Sequence, residues 1–348
     1  MVSPTEREPA LTGSSGGAPP RPAEESPDAS RFGQLWNLLR ASEQGGIALG
    51  LIGLVALFAI LSPDFLTSRN LFDILRQASV TGILAIGMTF VILTAGIDLS
   101  VGSILAIAGI LSAEFATEAA GPIPILLAFG VPLLIGAAAG LFNGFGVAVL
   151  GVTPFVVTLG TLSIYRGVTL LYTDAQPVVG VESWYAAVGQ GYIGPVPTPV
   201  VIFFALAALA ALVLRTTRFG RYVYAVGGNL EAARAAAVPV HKVLVGVYVI
   251  AGACAGLAAI ILTARLTVAQ ATAGVGLELT AIAAVVIGGT SLFGGKGGVG
   301  GTVIGALILA VLVNGLNVMN ISSYIQQIVI GAILIAAVWF DERLRGRT

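Results

Sequence analysis

The chain has 348 residues, of which 57% are hydrophobic and only 10% are charged, and its formal net charge at neutral pH is zero. Soluble globular domains carry about 25% charged residues, so this composition excludes a soluble protein. The 17 basic residues form no dense patch, which argues against nucleic acid as a partner, and the long apolar runs lack the alternation of transmembrane barrel strands.

The N-terminal segment, residues 1–42, is predicted to be a disordered cytoplasmic tail. Residues 1–30 are rich in Pro, Gly, Ser and Glu, a composition that cannot bury an apolar core. No apolar stretch follows the initial residues as it would in a secretory signal peptide. The rest of the chain is predicted to form one transmembrane domain over residues 43–341, followed by a short cytoplasmic tail over residues 342–348.

Apolar windows long enough to cross a bilayer predict about ten transmembrane helices, and therefore an all-α polytopic membrane protein, because one span needs about 20 mainly apolar residues. The predicted spans cover residues 46–61, 78–95, 99–119, 123–141, 154–172, 198–214, 243–264, 277–287, 301–319 and 322–340. A short amphipathic segment, residues 70–77, precedes the second span and is expected to lie at the membrane surface.

The distribution of Lys and Arg predicts the orientation in the membrane. Residues 215–242 are rich in Arg and are assigned to the cytoplasm, whereas residues 174–197 contain no Lys or Arg and are assigned to the outside. Counting spans outward from these two loops places both termini in the cytoplasm. Arg69, Arg76 and Arg265 fall on the external side and are exceptions to the rule.

A faint internal repeat relates two parts of the chain. Thr94-Ala-Gly-Ile-Asp-Leu99 is similar to Thr272-Ala-Gly-Val-Gly-Leu277. An odd number of spans separates the copies, so two five-helix halves would be inverted in the membrane, which is a common plan among transporters. Chance similarity among small apolar residues explains the match equally well, and both explanations stay open.

The first copy of the repeat contains the clearest candidate site. Gly96 interrupts an apolar stretch and is followed by Asp98, a carboxylate that is costly to place in lipid. One interpretation is structural, with Asp98 or Ser100 capping the helix that follows. The other is functional, with the polar side chains of this segment lining a translocation path. These path candidates are Thr94, Asp98, Ser100 and Ser103.

Glu278, near the outer end of the eighth span, is a further path candidate, and Arg166 in the fifth span is its candidate partner within the membrane. A packing or interfacial role is the alternative for both charges. The sequence shows no cluster with metal-ligand spacing and no pairing of a nucleophile with a base. No metal site and no catalytic residue are therefore predicted.

A second candidate region is the cytoplasmic loop, where Asn229 begins a short helix predicted over residues 230–237. Asn is a favoured N-cap, Glu231 lies where the helix dipole favours an anion, and Pro239 stops the helix. A helix this short is not stable alone and needs a partner surface. The glycine-rich segment 287–302 lacks Walker spacing and a preceding strand, so it is interpreted as a turn between spans.

Four motifs in this order make the chain resemble the permease subunits of bacterial ABC sugar importers of the ribose/xylose/galactoside type, over about residues 71–341. The motifs are GMTFVILTAGIDLSVGS, TPFVVTLGTLSIYRGVTLLYT, TRFGRYVYAVGGNLEAAR and AIAAVVIGGTSLFGGKG. The resemblance implies a multi-pass protein of the bacterial plasma (inner) membrane. It also implies a non-catalytic subunit that binds no cofactor itself, while a partner ATPase uses ATP and Mg²⁺.

The same resemblance implies the partners: ABC ATPase subunits, a second permease copy in a homodimer or heterodimer, an external solute-binding protein, the sugar, and membrane lipid. The family's ATPase-docking loop falls on Gly228, Asn229, Glu231, Ala232, Ala233 and Arg234. Ala237 departs from the glycine that the family commonly has there, so this helix end is expected to be stiffer.

The function expected from the resemblance is to form the translocation path for a monosaccharide, with a ribose-type sugar favoured. Ribose, xylose, galactose and less usual cargo such as autoinducers or nucleosides all stay open. The alternative from another class is an ion-coupled secondary transporter in which Asp98 or Glu278 carries a proton or binds Na⁺.

Overall fold

Apolar runs separated by Gly, Pro and polar residues fold into helices throughout the computed structural model, which describes residues 43–117 and 121–345. The helices are α1 (Glu43–Leu61), α2 (Ser68–Leu93), α3 (Val101–Ala116), α4 (Pro122–Ala148), α5 (Pro154–Thr173), α6 (Ser183–Gln190), α7 (Thr198–Thr216), α8 (Arg218–Gly228), α9 (Leu230–Ala235), α10 (Val240–Leu266), α11 (Leu277–Ile287), α12 (Val299–Val318) and α13 (Ser323–Arg345). The strands are β1 (Val178–Val179), β2 (Tyr192–Ile193), β3 (Val196–Pro197) and β4 (Val268–Ala269). The predicted tail at residues 1–42 lies outside the described residues, as do residues 346–348.

The all-α polytopic architecture predicted from the composition is confirmed. Helices α2, α4, α5, α7, α10, α12 and α13 are long and apolar enough to span a membrane. Helices α1, α3 and α11 are shorter apolar helices and occupy the three remaining predicted spans. Both α3 and α11 follow an irregular segment, which explains why they are short.

The predicted surface segment, residues 70–77, is not separate from the span that follows it. These residues belong to α2, which continues without interruption to Leu93. The helix begins at Thr67, whose Oγ1 accepts a hydrogen bond from the backbone N–H of Asn70 at 3.4 Å. Ile74 is already buried, so the apolar face of this segment packs inside the protein.

Helix α2 lies at the centre of the bundle, since 83% of its most apolar window is buried within the protein. It packs against α7, α10, α11 and α12. The core around it consists mainly of Ala, Val, Ile and Leu from these helices and from α3. A helix that is apolar on all sides is expected at such a central position.

Glycines allow α4 and α10 to pack backbone against backbone. An added Cβ at Gly136 would overlap the carbonyl oxygen of Gly252, and an added Cβ at Gly140 would overlap that of Tyr248. Gly256 meets the carbonyl of Pro132 in the same way. Small residues at spacings of four produce this close approach in membrane proteins, because lipid supplies no hydrophobic force between helices.

The bundle has two ends that are distinguished by their loops. Strand β1, after α5, pairs antiparallel with β4, after α10, so both loops lie at one end together with α6; this is called the α6 end. Helix α10 crosses the bundle, and its N-terminus lies at the opposite end, next to α9. The glycine-rich turn 288–298 contacts α8 at that end, which is called the α9 end.

Candidate functional site

The first break, residues 94–100, separates α2 from α3 inside the bundle. Helix α2 ends where the hydroxyl of Thr94 donates to the carbonyl of Val91 at 2.8 Å, and Ala95 takes the left-handed conformation with a φ of 60°. At Gly96 an added Cβ would come within 2.9 Å of the hydroxyl of Tyr248. A side chain at this position would therefore have to displace the hydroxyl end of Tyr248.

Asp98 is fully buried and is held by side chains from two elements. Its Oδ1 accepts from the backbone N–H of Ser100 at 2.9 Å and from the Ser100 hydroxyl at 2.7 Å. Asn143 on α4 donates to Ser100 Oγ at 2.7 Å and lies 3.4 Å from both carboxylate oxygens. These bonds offset the cost of placing a carboxylate away from water. Asp98 thus closes the turn before α3, while Ser100 makes no side-chain cap bond of its own.

Other hydrogen bonds fix the shape of the first break. Ser103, also buried, donates its hydroxyl to the carbonyl of Ser100 at 2.8 Å. The carbonyl of Ile97 accepts from the hydroxyl of Thr158 on α5 at 3.4 Å and from that of Tyr248 on α10 at 3.3 Å. Together with Asn143 on α4, these bonds connect the break to three neighbouring helices.

The second break, residues 270–276, precedes α11 and corresponds to the second copy of the sequence repeat. Gly274 and Gly276 have φ values of 77° and 82°, which glycine adopts without the steric cost of a Cβ. Glu278 is half-buried in the first turn of α11, and its Oε1 accepts from the backbone N–H of Gly276 at 3.1 Å. Glu278 therefore closes a turn before α11, much as Asp98 does before α3.

The side chain of Arg166 on α5 donates hydrogen bonds to the backbone of the second break. Its Nη1 donates to the carbonyl of Ala273 at 2.9 Å and also to that of Ala271. Arg166 and Glu278 were candidate ion-pair partners, but in the described part of the chain they do not approach within ion-pair distance. Both charges instead bind backbone groups of the same irregular segment.

The first turn of α3, which follows the first break, contacts the second break. Gly102, in the first turn of α3, lies against the second break so closely that an added Cβ would overlap the carbonyl oxygen of Gly274 and the Oε2 of Glu278. In the reverse direction, an added Cβ at Gly274 would reach the carbonyl oxygen of Gly102. The fold thus brings the start of α3, just after the first copy of the repeat, against the second copy and Glu278.

The predicted short helix in the loop is confirmed, and it begins at the predicted residue. Asn229 caps α9 by accepting from the backbone N–H of Ala232 at 2.9 Å. Glu231 and Arg234 form an exposed ion pair at 2.9 Å, whereas Ala233 is buried against the rest of the protein. The polar face of α9 is therefore available to a partner. At Gly228, the first of the predicted docking residues, an added Cβ would meet no atom within 4 Å, although its backbone lies against Gly295.

Helix α9 ends at Ala235, earlier than the predicted residue 237. Ala237 takes the left-handed conformation with a φ of 57°, and the next residue, Val238, donates its N–H to the carbonyl of Ala233 at 3.0 Å. This is the hydrogen-bond pattern of a Schellman ending, where glycine is the usual residue. The left-handed backbone at Ala237 therefore favours glycine, the residue that the resembling family commonly has at this position.

Helix α8 connects the docking loop to the first break. The backbone of Gly227 packs against the carbonyl of Leu93, which also accepts from the N–H of Gly295 in the glycine-rich turn at 3.0 Å. The hydroxyl of Tyr224 donates to the carbonyl of Gly297 at 2.9 Å. Burial raises the pKa of Tyr224, against a smaller opposite effect of Arg215, so the phenol stays a hydrogen-bond donor across the neutral range.

Sequence reasoning missed two contributors to the site. Asn143 completes the Asp98 cluster, and Tyr248 supports the first break from α10. An asparagine in an otherwise apolar span was the signal for the first, because a polar group in lipid needs a partner. The sequence offered no comparable signal for Tyr248, since tyrosines are common in membrane spans.

Broken helices that meet at the centre of a bundle, together with a short exposed helix at one end, define a transport protein of the helical membrane class. The family model described as "Branched-chain amino acid transport system / permease component" matches residues 70–338. The chain belongs to this family of permeases and is a multi-pass membrane protein. No solved structure matches the chain significantly.

Curated relatives extend over most of the chain. A ribose import permease protein of Haemophilus influenzae is 46% identical and covers 85% of this chain and 92% of its own length. The D-allose transport system permease protein of Escherichia coli is 42% identical, with coverage of 83% and 88%. The xylose transport system permease protein of Escherichia coli is 34% identical, with coverage of 82% and 87%. The family description thus refers to amino acids, whereas these relatives are described by sugars.

Proposed function

We propose that this protein is the permease subunit of an ABC importer and forms the translocation path for a ribose-type monosaccharide. The observation that carries the proposal is the 46% identity to a ribose import permease over 85% of the chain. Identity falls to 42% for the D-allose permease and to 34% for the xylose permease. This order supports ribose over xylose as the transported sugar. The sugar permeases match most of the chain, which supports a sugar over the amino acids named in the family description.

The path lies on the face of the bundle where the start of α3 meets the second break. Helix α5 packs on α3, α3 touches α11, and α11 packs on α13, so the two short helices are flanked by two long ones. Only 17% of the apolar window of α5 and 6% of that of α13 is buried within the chain. The side chain of Val275 in the second break is 68% exposed in the single chain. A second permease copy against α5 and α13 would complete the wall around these groups.

The polar groups near the path suit a neutral solute. Asp98, Ser100 and Ser103 are buried and form hydrogen bonds with protein groups, so they would contact a solute only if the first break changes shape. Arg166 and Glu278 bind the backbone of the second break. A proton- or Na⁺-coupled carrier would bind its ion at a carboxylate in the membrane, whereas Asp98 and Glu278 each accept a backbone N–H and close a turn.

The energy for transport comes from partner subunits that dock on α9. The loop Gly228–Arg234 carries the capped helix and the exposed Glu231–Arg234 pair, which would meet an ABC ATPase. ATP and Mg²⁺ are bound and used by that ATPase, and this subunit carries out no chemistry. The α9 end with its arginines is cytoplasmic, as are both termini, and the α6 end faces the external binding protein that delivers the sugar.

The test is uptake of labelled ribose by cells that lack their own ribose permease. The chain is co-expressed with an ABC ATPase and a solute-binding protein encoded beside it, and uptake is expected only when all three are present and ATP is available. Unlabelled ribose should compete more effectively than xylose. Ion-gradient-driven uptake by the chain alone in vesicles without ATP would overturn the proposal.

A further inference from the structure

A polar cavity at the α6 end lies apart from both breaks. Its volume is about 250 Å³, and it is lined by Asp73, Arg76, Gln77, Gly189, Gln190 and Arg265. These residues come from the first turns of α2, the end of α6 and the last turn of α10. Because one water molecule takes about 30 Å³ in the liquid, the cavity holds a small ion together with part of its hydration shell.

The guanidinium group of Arg76 has one nitrogen in an ion pair and another without a hydrogen-bond acceptor. Its Nη1 pairs with Asp73 Oδ1 at 3.2 Å, and its guanidinium group lies 5.0 Å from the ring centre of Tyr192. The side chain is 17% exposed, and its Nε is buried without a hydrogen-bond partner. A buried N–H without an acceptor is unfavourable, so this wall of the cavity has a donor that the protein does not satisfy.

Arg265 adds a second positive charge from the opposite wall. Its backbone is fixed, because Gly189 packs against its nitrogen and the side chain of Gln190 donates to its carbonyl at 3.0 Å. The guanidinium group forms no ion pair with any described residue. Among the residues that the structure describes, Asp73 is the only carboxylate that lines the cavity, and it already pairs with Arg76.

We propose that this cavity binds a small oxyanion with phosphate or carboxylate chemistry. Two arginines against one aspartate leave an excess positive charge, and guanidinium groups match the oxygens of such anions with paired donors. Gln77 adds an amide donor to the same wall as Arg76. A neutral sugar does not require the unpaired arginine, and a cation would be repelled. A free anion and the phosphate of a lipid headgroup share this chemistry.

The experiment measures the Tm of the purified full chain in neutral detergent with two probes. Inorganic phosphate is titrated at constant ionic strength adjusted with NaCl, and phosphatidylglycerol is compared with diacylglycerol that carries the same acyl chains. Anything that binds the folded state raises its stability by mass action, so Tm is expected to rise with phosphate or with phosphatidylglycerol. A rise with both identifies a free-anion site, and a rise with phosphatidylglycerol alone identifies a headgroup site.

Matched variants connect the effect to the cavity. Arg265→Gln is expected to weaken the apparent affinity at least tenfold, which corresponds to about 1.4 kcal/mol. Arg69→Gln removes an exposed arginine from the same end of α2 and should respond like the wild type. Arg265→Lys keeps the charge and is expected to lose less affinity, which keeps the test decisive should Arg265→Gln fail to fold. The proposal is overturned when neither probe shifts the wild-type Tm, or when Arg69→Gln loses as much affinity as Arg265→Gln.

Discussion

The carboxylate of Asp98 accepts two hydrogen bonds from a single residue, Ser100, one from its backbone N–H at 2.9 Å and one from its hydroxyl at 2.7 Å. Both donors go to the same oxygen, Oδ1. These two hydrogen bonds fix the turn before α3, and they require a hydrogen-bond acceptor at position 98. An amide oxygen supplies the same acceptor without a negative charge.

The pair Asp98→Asn and Asp98→Ala therefore separates shape from charge. Asp98→Asn should keep most transport and expression, because its Oδ1 still accepts from Ser100. Asp98→Ala should lower both, since the N–H of Ser100 is left buried without a partner at a cost of about 1–3 kcal/mol. Labelled uptake divided by the amount of protein in the membrane measures the difference. A complete loss of uptake in well-expressed Asp98→Asn would favour the ion-coupled alternative.

Gly102→Ala tests the contact between the start of α3 and the second break. A methyl group at this position would overlap the carbonyl oxygen of Gly274, and overpacking of this kind costs about 1–3 kcal/mol. The expected results are a lower Tm and strongly reduced uptake. Gly50→Ala is the matched control, because Gly50 lies in helix α1 with no atom within 4 Å of an added Cβ. Normal uptake by Gly102→Ala would show that transport does not depend on the close contact between α3 and the second break.

The sequence was sufficient to predict the helices but not the way the breaks are held. Apolar windows located the seven helices that are long enough to span a membrane and the three shorter apolar helices, because bilayer thickness sets the length of a span. The repeat pointed to residues 94–99 and 272–277, but the contact of the nearby Gly102 with the second copy depends on tertiary packing. The role of Arg166 also depends on packing, because its acceptors are backbone carbonyls that carry no signal in the sequence.

Arg234→Glu is expected to detach the ATPase while leaving the fold intact. Glu231 and Arg234 form an exposed pair, and such pairs contribute about 0–1 kcal/mol, so the loss of stability is small. Co-purification of the ATPase and uptake should both fall. The double variant Glu231→Arg, Arg234→Glu restores the pair within the helix with its charges exchanged. Recovery of docking in this double variant would show that the pair only stabilises α9.

Ala237→Gly should stabilise the end of α9. A left-handed conformation costs a non-glycine residue about 1–2 kcal/mol, whereas the extra freedom of glycine in the unfolded chain costs about 0.4–1 kcal/mol. The expected net gain is between about 0 and 1.6 kcal/mol by the same estimates, measured as a higher Tm. Ala235→Gly is the control inside the helix and should destabilise the protein. A lower Tm for Ala237→Gly would contradict the assigned helix ending.

Tyr224→Phe tests whether the docking loop acts on the first break through α8. The substitution removes the hydrogen bond to the carbonyl of Gly297, which contributes about 0.5–1.5 kcal/mol, and it leaves the ring in place. ATPase co-purification should be unchanged while uptake per ATP hydrolysed falls. Tyr222→Phe on the same helix is the control.

The pH dependence of the Tyr224→Phe defect follows from the raised pKa of Tyr224. A phenol with a raised pKa keeps its proton, so its stabilising bond is fully present below the ordinary pKa and is lost only as pH rises through the raised one. The difference between wild type and Tyr224→Phe should therefore be constant across the neutral range and shrink only in strongly alkaline buffer. A difference that disappears on mild alkalinisation would exclude this hydrogen bond as the coupling element.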